Sequence, residues 1–225
     1  MSMLTAEPTI ETLLESGEWE SARQSIQQEL AVHPGDHWLI TQLGVTYYEQ
    51  QKYLQSLRHF LTSLEIVPDC PLTLWNLAGA LDALEKSADA VSIYTWLLKS
   101  RKTVDDDSCW ESRDWTESLK TDCVYRLGVC FQRMGQSGSA EHCFRQYINL
   151  LLAGMNGTWS VEDAKQHILK LEGKGKQRLA KEVREAFDAT LQDVAVSASL
   201  DGRKLPKLSF PELLATGHST FQEIP

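Results

Sequence analysis

The sequence lacks the features that mark several large protein classes. Its 225 residues contain no apolar run approaching the roughly 20 residues that a membrane span needs. The segment 1–7 has no basic region followed by an apolar stretch, so we expect no secretory signal. Lysine and arginine number 22 against 31 aspartates and glutamates, and the formal charge of −9 does not favour whole-surface attraction to nucleic acid or anionic lipid. We therefore expect a globular cytoplasmic protein without membrane association.

Paired cysteines and catalytic motifs are also missing. The sequence has five cysteines, at positions 70, 109, 123, 130 and 143, and none forms a C-x-x-C pair. Cys123, Cys130 and Cys143 could hold a metal together with His142, but such thiols more often fill helical cores. The sequence contains no G-x-x-x-x-G-K, G-x-G-x-x-G, H-E-x-x-H or G-x-S-x-G pattern. We expect a protein that is not an enzyme and has neither cofactor nor metal.

Internal repetition is the main positive feature. Similar segments begin at Gly17, Gln51 and Glu85, which are 34 residues apart, and a fourth begins at Gly135 after 16 additional residues. A small residue recurs in each copy at Ala22, Ser56, Ala90 and Ala140. Four positions later a large residue recurs at Ile26, Phe60, Tyr94 and Phe144. Small residues are expected where two helices cross closely, and large residues fill the groove beside the crossing.

Two further signatures accompany this period. The pair Leu43-Gly44 recurs as Leu77-Ala78 and Leu127-Gly128, and Pro34 and Pro68 close the first two copies. The pattern resembles the tetratricopeptide repeat family, whose 34-residue helix–turn–helix units carry small and bulky residues at such positions and end in proline. The matching repeats are 3–36, 37–70, 71–104 and 121–154. The resemblance implies an all-α solenoid of about four such units over residues 3–154, with an insertion at about 103–118.

The region after the repeats has helix signals and then a different composition. Ser160 followed by Asp163 indicates a helix start, and Gly173 a stop. We expect two capping helices within 155–192, because terminal repeats must cover their apolar side. Residues 193–225 read as an extended tail, and its segment from Leu205 to Leu214 is typical of a docking peptide or of a strap over the caps.

The resemblance implies that first helices line a concave groove that binds peptides or protein segments. In the second repeat the lining residues would be Trp38, Thr41, Gln42, Val45, Tyr48 and Glu49. In the third they would be Leu72, Trp75, Asn76, Gly79, Asp82 and Ala83. In the fourth they would be Asp122, Tyr125, Arg126, Val129, Gln132 and Arg133.

Aromatic and hydrogen-bonding residues in this set are typical of binding hot spots. The same aromatics could instead pack against neighbouring helices, the insertion or the tail. We favour ligand contact for Trp75 and Tyr125. Of the five positions in the clamp that holds chaperone tails, only Asn76 and Arg126 match, so we do not expect that ligand.

Two charged segments offer secondary surfaces. The insertion contains Asp105, Asp106, Asp107, Trp110 and Trp115, and it is a solvated loop with a tryptophan tucked onto the repeats, or an acidic arm for a basic partner. The later basic run comprises Lys165, Lys170, Lys174, Lys176, Arg178, Lys181 and Arg184. This run reads as the solvated face of a capping helix or as a site for phosphate, RNA or an acidic protein.

We therefore predict a non-catalytic adaptor or scaffold that binds a peptide or protein partner in its groove. A chaperone or assembly factor for a specific client is the first alternative. A nucleic-acid-associated factor using the basic segment 165–184 is the second, although nucleic acid is not favoured. The sequence leaves the partner's identity and a homo-oligomer open.

Overall fold

Every element in the described part of the chain is a helix. The computed structural model describes residues 8–103 and 107–171. Its α-helices are α1 (Ile10–Glu15), α2 (Trp19–Val32), α3 (His37–Glu49), α4 (Tyr53–Ile66), α5 (Pro71–Ala83), α6 (Ser87–Lys99), α7 (Arg113–Arg133), α8 (Ser137–Leu152) and α9 (Val161–Leu171). The chain divides into two compact units, an N-terminal unit Met1–Leu84 with α1 to α5 and a C-terminal unit Glu85–Pro225 with α6 to α9. Among these helices, none is long and apolar enough to cross a membrane.

The turns that end the first helices recur with the same spacing as the sequence repeat. Each of the four aligned segments begins with a residue in the left-handed region, at φ 74° for Gly17, 60° for Gln51, 62° for Glu85 and 73° for Gly135. In the second turn, the amide of Gln51 donates to the carbonyl of Tyr48 at 2.8 Å. Glycine takes this conformation at little cost, whereas a glutamine there is strained. The left-handed conformation at this position is therefore common to all four turns, although the residue can be glycine, glutamine or glutamate.

Close helix crossings occur at the predicted small residues. A Cβ added at Gly44 would lie 2.5 Å from Cε1 of Phe60, and one added at Gly128 would lie 2.8 Å from Cε1 of Phe144. The recurring large residues are fully buried, at 0% exposure for Ile26, Phe60, Tyr94 and Phe144. The predicted close crossing beside a bulky side chain is confirmed for the α3–α4 and α7–α8 hairpins.

A buried hydroxyl cluster joins three helices of the N-terminal unit. Thr41 of α3 lies 2.8 Å from the hydroxyl of Ser63 on α4 and 2.7 Å from that of Thr73 on α5. Thr41 and Ser63 both donate to the carbonyl of His37, at 2.8 and 2.9 Å. Because all three hydroxyls have partners, the cluster can be buried without leaving a polar group unsatisfied.

The insertion is helical in its second half. We expected a loop over 103–118, and this is wrong for residues 113–118, which begin α7. Ser112 caps that helix by accepting from the backbone N–H of Trp115 at 3.1 Å. No proline or glycine separates this cap from the fourth repeat, so one helix runs through both. Trp110 precedes it in a short 3₁₀ turn and is fully buried.

The predicted start of α9 is confirmed. Asp163 accepts from the backbone N–H of Ser160 at 2.8 Å, and Ser160 Oγ accepts from the backbone N–H of Asp163 at 3.1 Å, which together form a capping box. The helix contacts α8. The second predicted capping helix and the tail 193–225 lie outside the described residues.

Candidate functional site

One face of α3 presents the predicted groove residues of the second repeat. Trp38, Gln42, Val45 and Glu49 are spaced by four, three and four positions, which places them on one side of a helix. The first three are half-buried and Glu49 is exposed. Trp38 packs against the apolar cluster that includes Leu39 and Leu43, so its indole is anchored on one side.

The equivalent residues on α5 continue this face, since α3 contacts α5. Leu72, Trp75, Asn76 and Ala83 are half-buried. The amide of Asn76 donates to the carbonyl of Leu72 at 2.9 Å, which fixes its rotamer along the helix. We call the half-buried and exposed residues on this side of α1, α3 and α5 the first-helix face.

Three predicted groove residues of the N-terminal unit are buried and do not contribute surface. Thr41 is 0% exposed and belongs to the hydroxyl cluster, and Asp82 is 1% exposed. Gly79 is also buried. Tyr48 is half-buried and meets Tyr53 edge-on, with ring centroids 5.4 Å apart.

Sequence reasoning missed two members of the first-helix face. Glu11 and Glu15 of α1 stand 34 positions before Val45 and Glu49, and both are exposed. The repeat offset was the signal that could have found them. It was obscured because Ile10 replaces the small residue found at Gly44, Ala78 and Gly128 in the later first helices.

The basic residues of the N-terminal unit lie on other elements. Between positions 1 and 84 the only lysines and arginines are Arg23, Lys52 and Arg58. Arg23 is 4% exposed, pairs with Glu20 and lies 4.9 Å from the centroid of the Tyr47 ring. A buried guanidinium held by a carboxylate and an aromatic face is a structural anchor.

His59 completes this anchor on α4. Its ring stacks on that of Tyr47 with centroids 5.2 Å apart and an interplanar angle of 7°. Burial lowers the pKa of His59, and the neighbouring Arg58 lowers it further. Both effects disfavour the imidazolium, so the neutral ring is the form that fits this site.

In the C-terminal unit part of the corresponding face of α7 is covered by residues 158–167 of the chain. Tyr125 is 5% exposed, and the Trp159 ring stacks on it with centroids 4.2 Å apart. Phe144 and Tyr147 approach the same ring edge-on, at 5.4 and 5.1 Å. Tyr125 therefore packs within the chain, which is the alternative to the ligand contact that we favoured from the sequence. Its ring is not exposed to a ligand.

Polar contacts attach α9, and the loop that contains Thr158 and Trp159 just before it, to α7. Asp122 accepts from the backbone N–H of Thr158 at 2.8 Å and from its hydroxyl at 2.6 Å. Burial raises the pKa of Asp122, and these two hydrogen bonds oppose that shift. Gln132 Oε1 lies 2.6 Å from Nδ1 of His167 on α9. Asp122, Tyr125 and Gln132, which were predicted to line a groove, therefore contact the loop before α9 and α9 itself.

Tyr147 connects the loop to α8. Its hydroxyl donates to the carbonyl of Trp159 at 2.6 Å and accepts from the Trp159 amide at 2.9 Å. Burial raises the pKa of Tyr147 to about 12, and the bond from the Trp159 amide is the opposing influence. The phenol therefore remains protonated and able to donate at neutral pH.

The remaining predicted residues of α7, Arg126, Val129 and Arg133, share one side of the helix at helical spacing. Arg126 is half-buried and its Nε donates to the hydroxyl of Tyr94 at 3.0 Å. Arg133 is exposed at the end of α7, and Val129 and Trp115 are half-buried.

The insertion and the basic run, which we proposed as secondary surfaces, are only partly within the described residues. The buried Trp110 offers no contact surface; Lys120 Nζ lies 5.7 Å from the centroid of its ring. Lys165 and Lys170 are exposed on α9. Lys174, Lys176 and Arg178 lie outside the described residues, as do Asp105 and Asp106.

The three cysteines of the α7–α8 hairpin behave as core residues. Cys123, Cys130 and Cys143 are each 0% exposed and carry free thiols. Burial raises the pKa of Cys123 and of Cys143. A buried thiol with a raised pKa is a poor nucleophile, so the positions of Cys123 and Cys143 favour a packing role.

Comparison with known proteins gives a structural likeness. Two solved structures of MamA are similar to this chain at 17% sequence identity. The first has a TM-score of 0.51 and covers 86% of this chain and 94% of its own. The second has a TM-score of 0.52 and covers 84% of this chain and 96% of its own. No protein-family model matches the chain, and no curated protein matches it.

At this identity the likeness shows the fold alone. It identifies an all-α fold of helix–turn–helix units of the tetratricopeptide-repeat type, as the sequence predicts. The helices and turns of the described residues follow the same organisation.

Proposed function

We propose that this protein is a non-catalytic interaction module of the tetratricopeptide repeat family that binds a peptide or protein segment. The observation that carries the proposal is the first-helix face, where Trp38 and Trp75 are half-buried beside Gln42 and Asn76. The binding surface lies within the N-terminal unit. The adaptor or scaffold role, and a cytoplasmic setting suited to five free thiols, are parts of the same proposal.

The composition of the face supports binding. Large aromatic side chains supply most of the free energy at interfaces when they are anchored and then desolvated by a partner. Trp38 is held by the apolar cluster beneath it, so it loses little side-chain entropy on binding. Gln42 and Asn76 can add directional hydrogen bonds that set the register of a bound chain.

The C-terminal unit supports a smaller site than the sequence suggests. Its equivalent residues Asp122, Tyr125 and Gln132 are engaged by Thr158, Trp159 and His167. We therefore assign this face to attachment of α9 and restrict the binding proposal to α1, α3 and α5.

Affinity capture followed by titration with the purified partner tests the proposal. The full chain is compared with the double variant Trp75→Ala/Asn76→Ala, and we expect partner affinity to fall about tenfold or more, as for an interface hot spot. The matched control is Trp19→Ala, which removes a half-buried tryptophan of the same unit at the start of α2.

Thermal unfolding of each variant separates a binding defect from loss of the fold. A stoichiometric partner retained at full affinity by a folded double variant contradicts the proposal. A spread of unfolded clients in place of one stoichiometric partner would favour the chaperone alternative.

A further inference from the structure

Acidic residues occupy one edge of the first-helix face. Glu11, Glu15 and Glu49 are exposed; Glu15 and Glu49 share a repeat position, and Glu11 lies one turn before Glu15 on α1. The helices α1, α3 and α5 contain no lysine or arginine. Among the described residues, no basic side chain forms an ion pair with any of these three carboxylates. These three carboxylates therefore have no ion-pair partner among the described residues, although Lys52 follows Glu49 by three residues and its Nζ lies 5.9 Å from the Tyr47 ring centroid.

Helix ends reinforce the same sign. Glu15 is the last residue of α1 and Glu49 is the last residue of α3. The aligned peptide dipoles of a helix leave a partial negative charge at its carboxyl end, and this effect is larger for the 13-residue α3 than for the six-residue α1. Side-chain and backbone electrostatics thus combine to favour a cation at this edge.

Aromatic residues occupy the opposite part of the face. Trp38 is in the first turn of α3, about eleven residues before Glu49, a separation of roughly 16 Å along a helix. A segment that crosses α1, α3 and α5 would meet carboxylates on α1 and α3 and indole rings on α3 and α5. An indole face also attracts a cation that lies over it.

We propose that the occupant of the first-helix face is a basic amphipathic segment of another protein. Its lysine or arginine side chains lie against Glu11, Glu15 and Glu49, and its apolar side chains lie against Trp38 and Trp75. This inference rests on the proposed function, because it specifies the partner of the same face. Charge complementarity selects this occupant over an acidic or a neutral one.

Three synthetic peptides test the chemistry with the full chain. The first is an amphipathic peptide of leucine and lysine, the second replaces lysine by glutamate, and the third replaces leucine by serine. We expect the leucine–lysine peptide to bind tightest. We also expect its affinity to fall as salt is raised from about 50 to about 500 mM, because exposed charges are screened.

Matched glutamine variants locate the charge effect. The face variant is Glu11→Gln/Glu15→Gln/Glu49→Gln. The control variant is Glu18→Gln/Glu29→Gln/Glu65→Gln, which removes the same charge from exposed positions off the face. We expect the face variant to bind the leucine–lysine peptide about tenfold more weakly and the control variant to change by less than about twofold.

Several results would overturn the inference. These are equal binding of the leucine–glutamate peptide, no binding of the leucine–lysine peptide, and equal losses in the two glutamine variants. Tighter peptide binding after Lys174→Gln/Lys176→Gln/Arg178→Gln would show instead that the chain's own basic run occupies the face.

The experiments distinguish a failure of this inference from a failure of the proposed function. If the glutamate peptide binds equally well while Trp75→Ala/Asn76→Ala still loses the partner, the proposed function stands and the basic character of the partner is wrong. If the charge preference holds but the tryptophan–asparagine variant keeps its partner, the face attracts cations without being the functional site.

Discussion

The indole of Trp159 lies parallel to the ring of Tyr125, with centroids 4.2 Å apart and an interplanar angle of 6°. Trp159 comes from the loop before α9, and Tyr125 from the middle of α7. Backbone hydrogen bonds to the Tyr147 hydroxyl hold the indole in this position. The stack therefore joins three consecutive elements and secures α9 on the last hairpin.

Trp159→Ala should release this attachment. We expect a loss of about 2 kcal/mol in the free energy of unfolding, because a half-buried aromatic contact is removed and the Tyr125 ring becomes wetted. Chemical denaturation of the full chain measures the change. Trp115→Ala, also half-buried, serves as the control and should cost less than about 1 kcal/mol. Equal losses in the two variants would show that the stack has no special role.

Gly44→Ala should destabilise the N-terminal unit by about 2 kcal/mol, because the new methyl group would overlap the buried ring of Phe60. Denaturant unfolding measures this loss. Gly35→Ala is the control, since a Cβ there meets nothing within 4 Å. The double variant Gly44→Ala/Phe60→Leu should recover part of the lost stability, since the two sites are in contact. An unchanged midpoint for Gly44→Ala would contradict the tight crossing.

Local geometry explains which features could be predicted. Gly44 and Phe60 follow from the period because two helices can approach closely only where a side chain is missing. The turn at Gly17 likewise requires a left-handed residue at the same position in each copy. Such constraints act over a few residues, so they leave a periodic trace in the sequence.

Long-range contacts explain what could not be predicted. The cover on Tyr125 depends on a loop more than 30 positions away, and no local pattern specifies where that loop folds. The early start of α7 was hidden because the added helical residues join the repeat without a breaking residue. Glu11 and Glu15 were hidden because α1 lacks the glycine that marks α3.

Asp122→Asn should stabilise the protein at neutral pH and lose that advantage in acid. Burial raises the folded-state pKa of Asp122 above its usual value of 3.8, so the native state prefers the protonated carboxyl. The contribution of Asp122 is therefore fully favourable below pH 3.8 and declines as the pH rises through the raised value. An asparagine keeps the acceptor for the Thr158 amide and does not ionise.

Thermal midpoints measured from about pH 3 to about pH 7 check this sign. We expect the midpoints of Asp122→Asn and of the natural chain to converge at the acid end, with the variant higher near neutrality. Asp122→Ala should be less stable than Asp122→Asn at every pH, because it leaves the Thr158 amide without its acceptor. A variant midpoint below that of the natural chain at neutral pH would mean that the hydrogen bonds from Thr158 outweigh the desolvation of the carboxylate.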